Sequence, residues 1–289
     1  MGLRLKFNLV LLVVFLVGLG VSGFISYDLL HKNAKDEVLR NAGVMMEAAL
    51  SMRGYTVGQV RPNLPYDADK FYPQSVPAYA ATAIMNQLRK KYSDYAYKEA
   101  ALNPTNPNNR AADWETDIVN TFRNDPALPE LSGTRETPTG RSLYLARPFQ
   151  IKDKACLSCH TNAEMAPAAM VKIYGTNNGY GWKHMEVIGA QIVSVPMDLP
   201  IRNANHAFYT FMASLSAVFV ALFIILNVMM SVLIVRPITR MSKAADEIST
   251  GNMEIPEFNE GGGDEVALLR KSFNRMRRSL EKAIELIEK

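Results

Sequence analysis

Both cysteines of the chain and one of its four histidines fall within five residues, Cys156-Leu157-Ser158-Cys159-His160. Two thiols three positions apart, followed at once by an imidazole, support four chemistries. They can cycle as a redox pair, close a local disulfide, supply half of a zinc site, or take a haem covalently. In the last case the thiols add to the two vinyl groups and the imidazole becomes the proximal iron ligand. A thioredoxin-like pair wants a βαβ setting, whereas the approach "RPFQIKDKA" is rich in Pro and Lys. Zinc would need two further ligands from His31, His184 and His206, and the first and last of these sit beside apolar spans. A disulfide across so short a loop contributes little. The C-x-x-C-H spacing therefore assigns one covalent c-type haem to Cys156 and Cys159, with His160 as its proximal ligand.

The elements that must position this segment are set first by two uncharged runs. No charged residue occurs from Phe7 to Tyr27 or from Ala207 to Val235, and each run is long enough as a helix to cross roughly 30 Å of hydrocarbon. The alternative for the first run is a cleaved signal peptide, since Arg4 and Lys6 precede it and Gly20, Ser22 and Gly23 could mark a cleavage site. Its length argues for a retained span. Arg4 and Lys6 before one span, and Arg236, Arg240 and Lys243 after the other, place both ends in the cytoplasm by the positive-inside rule. The expected order is a cytoplasmic N-terminus at 1–6, a span at 7–27, an exported domain at 28–206, a second span at 207–235 and a cytoplasmic segment at 236–289. In a bacterium this is an inner-membrane protein whose domain faces the periplasm, an oxidising compartment. The net charge of +4 is too small and dispersed to argue for nucleic acid.

The exported segment opens with a helix continuing the first span, with Val38, Met45, Ala48 or Ala49, and Met52 at helical intervals, ended by Arg61-Pro62. A second helix is expected from Val76 to Tyr92, with Ala80, Ala83, Ile84 and Leu88 on one face. The turn-rich "NPTNPNNRAADWE" leads into a third helix at about 111–124. "SLYLARPFQI" and "EVIGAQIVSVPM" read as strands, with "GTNNGYGWK" as a Gly-rich turn before the second. Helices flanking a small antiparallel sheet make an α+β domain.

"RPFQIKDKACLSCH", "GYGWKHMEVIGAQIVSVPM", and "NPTNPNN" followed by "DWE" resemble the PAS-like periplasmic c-haem sensor family, first characterised in cyanobacteria, over roughly residues 35–200. The resemblance implies a PAS-like sheet carrying one haem on Cys156 and Cys159 with His160 on the iron. Some members of that family present a cysteine just upstream of the second helix, where this chain reads "FYPQSVP", with Phe71 and Tyr72. No third cysteine exists, so thiolate ligation from this chain is excluded. Met52 is the next candidate for the sixth iron position because a soft thioether suits haem iron; read as one of a helical row with Met45, it is core filler. His184, in a turn before a strand, reads as surface or pocket wall. A distal site lined by Tyr72 would admit a small gas, whereas a filled one favours redox sensing or electron transfer. Trp182, Tyr144 and Phe149 are candidate pocket walls.

After the second span, Ile238, Met241, Ala245 and Ile248 form a short apolar seam stopping at Gly251, and "GNMEIPEFNEGGG" is a polar connector. Val266, Leu269, Phe273, Met276, Leu280, Ala283 and Ile287 form a second seam. Two such helices are too weak to stand alone, so partners must complete their core. With "RPITRM", "GN" and "DEV" in these places, the segment resembles a HAMP linker, the parallel four-helix bundle of dimeric receptors, which implies a homodimer. The sequence holds no phosphate-cradling glycine loop and no nucleophile-base constellation, so no enzyme is expected. No output domain follows the second seam before Lys289, and a separate cytoplasmic partner is expected. The resulting expectation is a haem-based sensor of redox state or a small gas; the alternative is a membrane-anchored monohaem c-type cytochrome with a redox partner.

Overall fold

The computed structural model describes residues 2–64 and 70–287. By internal contacts it divides into two units, Tyr27–Ala207 and the remainder.

The first unit is built on a four-stranded antiparallel sheet: β1 (Ala96–Ala101), β2 (Leu131–Thr137), β3 (Gly140–Gln150) and β4 (Val187–Pro196), in the spatial order β1-β4-β3-β2. The central strand β4 is almost wholly buried on both faces, because helices cover each side. On one face lie α1 (Leu3–Tyr55) and α2 (Pro77–Arg89); Val38, Ala42, Met46 and Ala49 meet Ala81, Met85, Leu143, Leu145, Val193 and Val195 there. On the other lies α3 (Asp113–Asn124), whose Ile118, Val119 and Phe122 pack on Ala100, Ala146, Ala190 and Ile192. This is the expected α+β class.

The helices lie where periodicity predicts them, but rotated. The inward row of α1 is Val38, Ala42, Met46 and Ala49, and Met45 and Met52 are only half-buried beside it. In α2 the buried positions are Ala81 and Met85, while Ile84 and Leu88 are 47% and 38% exposed. α1 ends as expected, in a π-helical turn at Thr56–Val60 and a 3-10 turn at Arg61–Asn63 containing Pro62.

Two strands have no strand-like sequence. β1, "AYKEAA", is poor in β-formers. It is a strand because each face finds a charge partner: Lys98 bonds Glu115 of α3 at 2.6 Å, and Glu99 receives Arg53 of α1 at 2.6 and 2.5 Å. β2, "LSGTRET", is an edge strand paired in register with β3 through a two-residue turn that closes at Gly140. Gly140 has φ +112°, and a Cβ there would fall 2.0 Å from Asp198 Oδ2, so glycine is required.

In the second unit the apolar windows of the two long helices are 0% and 6% buried, which leaves hydrocarbon as their natural cover. The first part of α1 and α6 (Asp198–Met229) run antiparallel: Phe15 stacks on Phe219 with centroids 4.9 Å apart, Gly18 faces Phe219, and Gly23 faces Met212. A π-helical stretch, Met230–Val235, leads from α6 into α7 (Arg236–Ser249). There Met241, Ala244 and Ile248 are buried, Ala245 is half-buried and Ile238 is 41% exposed. α8 (Glu265–Ile287) turns a different face inward from the one its seam predicts. Ala267 and Asn274 are buried, and Asn274 clasps the connector by accepting from Phe258 N–H at 3.1 Å and donating to Phe258 O at 2.8 Å. Phe273 packs edge-on against Phe258. Leu269, Met276 and Leu280 remain 47%, 49% and 42% exposed. The side chain of Ile287, counted in that seam, lies outside the described residues.

Candidate functional site

β3 delivers the chain to the cysteine segment. Beyond Gln150 the pairing continues through Ile151 N–H to Glu186 O at 2.9 Å and Met185 N–H to Ile151 O at 2.8 Å. Asp153 then accepts from Ala155 N–H at 2.8 Å and starts a 3-10 turn, Lys154–Cys156, that runs into α4 (Leu157–His160). Because the segment is helical, Cys156, Cys159 and His160 stand at i, i+3 and i+4 on one face. Both cysteines are free and half-buried. Burial, then Asp153, pushes the Cys156 thiol above its ordinary range, with Arg61 and Arg53 opposing.

The imidazole of His160 is held from three directions. Its Nδ1 is 2.7 Å from Gly179 O and 3.4 Å from Thr105 Oγ1. Its ring lies on Trp182, with centroids 3.9 Å apart and planes 13° from parallel. Burial lowers its pKa, opposed by the Gly179 carbonyl. The ring is thus favoured as a neutral tautomer donating from Nδ1, leaving the Nε2 lone pair with no hydrogen-bond partner among the described residues.

The Gly179 carbonyl is itself aimed by a loop distant in sequence. Asn103 accepts from Gly179 N–H at 3.1 Å and donates to Tyr180 O at 3.1 Å, and Arg110 reaches Asn178 Oδ1 at 3.1 Å. Gly179 has φ +86°, and a Cβ there would meet Thr105 Oγ1 at 2.0 Å. The turn-rich segments "NPTNPNN" and "GTNNGYGWK" therefore form one clamp around the imidazole. Asn103, Thr105 and Gly179 had no assigned role in the sequence reading; the signals were that both segments are dense in turn formers and that both carry the family resemblance.

The structure brings Cys156, Cys159, His160 and Trp182 together. Neither Tyr72 nor Met52 makes a hydrogen bond or ring contact with His160 or Trp182. Tyr72 is half-buried and opens the 3-10 turn Pro73–Ser75, and its neighbour Phe71 packs edge-on against Tyr174 of α5 (Ala168–Tyr174). Met52 lines an open apolar groove of about 610 Å3 between α1 and α2, with Tyr55, Tyr79 and Ile84. Tyr144 packs on Trp114 rather than near the cysteines, while Phe149 lies 4.7 Å beneath the Arg53 guanidinium. His184 bonds the Lys152 carbonyl at 3.2 Å. Arg53 holds the buried Glu99, which also accepts from Tyr97 at 2.8 Å; burial, then Glu99, raises the Tyr97 pKa.

Two free thiols on one helical face beside an imidazole with an open Nε2 are the donor set a covalent haem requires, and the residues present fit that group. Among the described residues no three His, Cys, Asp or Glu side chains, these included, are arranged to hold a bare metal ion.

Comparison with known proteins gives two family matches: a Tll0287-like domain over residues 31–196, more than half of the chain, and a HAMP domain over 229–282. A crystal structure of the cyanobacterial haem-protein Tll0287 is similar at 17% identity and a TM-score of 0.45, covering 55% of this chain and 95% of that one. No curated protein matches. Two long apolar helices and a HAMP domain indicate an inner-membrane protein. With the family match spanning the sheet, the helices around it and the cysteine segment, the chain belongs to the Tll0287-like family.

Proposed function

We propose that the protein is a membrane-bound haem sensor that relays a signal to a separate cytoplasmic partner and is not an enzyme. One c-type haem is carried by Cys156 and Cys159, with His160 as proximal iron ligand, in a PAS-like domain facing the periplasm. The observation that carries this reading is the fixed imidazole: Nδ1 is engaged by Gly179 O and the ring is stacked on Trp182, so Nε2 is the coordinating atom. When bound, the haem supplies an iron centre whose ligation and charge change with redox state or a diatomic gas.

The chain's own residues supply orientation and connection. The Asn103–Gly179 clamp fixes the imidazole plane. Arg53, which acts electrostatically on Cys156 and bonds Glu99 of β1, lies on α1, and α1 continues unbroken into the first apolar span. β4 leads through Met197 into α6, the second span. A change at the site thereby bears on both spans, and a shift of one against the other biases the packing of α7 and α8. The exposed row Leu269, Met276 and Leu280 supports a homodimer through this segment, as HAMP domains typically form. Tyr72 and Met52 are the residues proposed for the distal side, Tyr72 as pocket wall and Met52 as ligand.

The test is an absorption spectrum of the protein co-expressed with cytochrome c maturation factors: oxidised, reduced, and reduced under carbon monoxide or nitric oxide. Covalent haem is expected, held through one thioether at most in C159S and lost in C156S/C159S. Gas binding assigns gas sensing. A gas-indifferent, six-coordinate haem assigns redox sensing, or a monohaem cytochrome if electron transfer survives deletion of residues 237–289. Absence of covalent haem overturns the reading.

A further inference from the structure

Where α1 and the end of α6 meet the charged border of their apolar runs there is a cavity of about 410 Å3. Its polar lining is Arg4 and Asn8 from α1, with Asn227, Ser231 and Arg236 opposite. Phe223, Ile224 and Val228 belong to its apolar wall. No acidic residue lines it, and neither guanidinium has an ion pair among the described residues. Asn8 Oδ1 is buried without a hydrogen-bond partner among them, whereas Asn227 Nδ2 is taken by Phe223 O at 2.9 Å. Such an orphaned acceptor costs free energy unless a donor reaches it.

The cavity thus asks for three things at once: negative charge between two arginines, a hydrogen-bond donor at Asn8, and apolar matter along Phe223 and Val228. It lies at the depth where a bilayer presents its headgroups, and basic pockets between spans are a recurrent headgroup site. We propose that it binds an anionic phospholipid whose headgroup carries a hydroxyl, the phosphatidylglycerol class. The phosphate sits between Arg4 and Arg236, the hydroxyl donates to Asn8 Oδ1, and an acyl chain follows the apolar wall. A zwitterionic choline lipid would set a cation beside two guanidiniums with no carboxylate to receive it. Arg236 is also the first residue of α7, reached through the π-helical stretch Met230–Val235, so occupancy bears directly on the HAMP segment. The assignment does not depend on the haem.

The test uses the full-length protein in phosphatidylcholine bilayers containing a small fraction of spin-labelled phosphatidylglycerol, phosphatidylmethanol or phosphatidylcholine, and reads the motionally restricted fraction. Phosphatidylglycerol should be preferred to phosphatidylcholine by roughly tenfold, and to phosphatidylmethanol, equal in charge but without a hydroxyl, by roughly threefold. R4Q/R236Q should abolish the first preference. R240Q/K243Q, which removes the same charge from α7 outside the cavity, should leave it. N8L keeps the charge and should erase only the second preference, so it decides the headgroup placement even if the arginine variant does not fold. Displacement of the label by millimolar glycerol 3-phosphate would reassign the cavity to a soluble phosphate ester. Equal restriction of all three lipids, equal losses in both double variants, or an unchanged hydroxyl preference in N8L would each overturn the proposal. So would conversion of a dimer to monomers by R4Q/R236Q without lipid selectivity, which would give the cavity to a second copy.

Discussion

The sheet-bearing domain and the HAMP segment bury their helices in opposite ways. In the domain, α1 and α3 find their cover within the chain, and Ala42, Met46, Val119 and Phe122 are fully buried. In the tail, α8 spends its inward face on Asn274 and the connector and leaves Leu269, Met276 and Leu280 open. A closed core has one favoured packing, since each cavity or clash is felt at once. A half-core completed by a partner can be completed in more than one way. The proposed cofactor site therefore belongs to the region that resists rearrangement, and the HAMP segment is the region that tolerates it.

Four substitutions test this contrast, ranked by their effect on the folding of a single chain. Phe122→Ala, in the closed core, should cost about 3–5 kcal/mol and lower the unfolding temperature of the domain while leaving the tail's helicity intact; a small loss would mean the core is not closed. Gly179→Ala puts a side chain where φ is +86° and Thr105 stands in the way. It should cost about 1–3 kcal/mol, with the His160 ring resonances shifting by NMR, and unshifted resonances would dissociate the clamp from the imidazole. Asn274→Ala should cost about 1–3 kcal/mol, felt only in the tail, as faster amide exchange at Phe258; unchanged exchange would remove the clasp from the account. Met276→Ala should change single-chain stability by less than about 0.5 kcal/mol yet raise the dimer dissociation constant severalfold by sedimentation. A constant that does not move would close the seam to a second copy.

Where the sequence carried a period, it placed elements well and faces poorly. α2 and α3 fall at their expected positions, but α2 turns Ala81 and Met85 inward instead of Ala80, Ala83, Ile84 and Leu88. An apolar residue one step off the inward row looks the same in a periodic count, and only the packing against α1 and the sheet decides. β1 and β2 escaped because neither has strand-forming residues of its own: "AYKEAA" owes its strand state to Glu115 and Arg53 on other elements, and "LSGTRET" to the hairpin it closes with β3. In the candidate site, that the two cysteines and His160 share one helical face was legible from spacing alone. Asn103 and Gly179 were not, because their roles exist only once two loops meet.

That meeting also has a place in time. Asn103 bonds residues 76 and 77 positions further on, and closing so long a loop is slow beside the formation of one helical turn. The Asp153-started turn bearing Cys156, Cys159 and His160 takes its hydrogen bonds from its own neighbours and does not need the clamp to form. Until the loops close, the imidazole lacks both the Gly179 carbonyl and the Trp182 face that hold it. On the covalent attachment proposed above, a maturation enzyme would need its access before that closure.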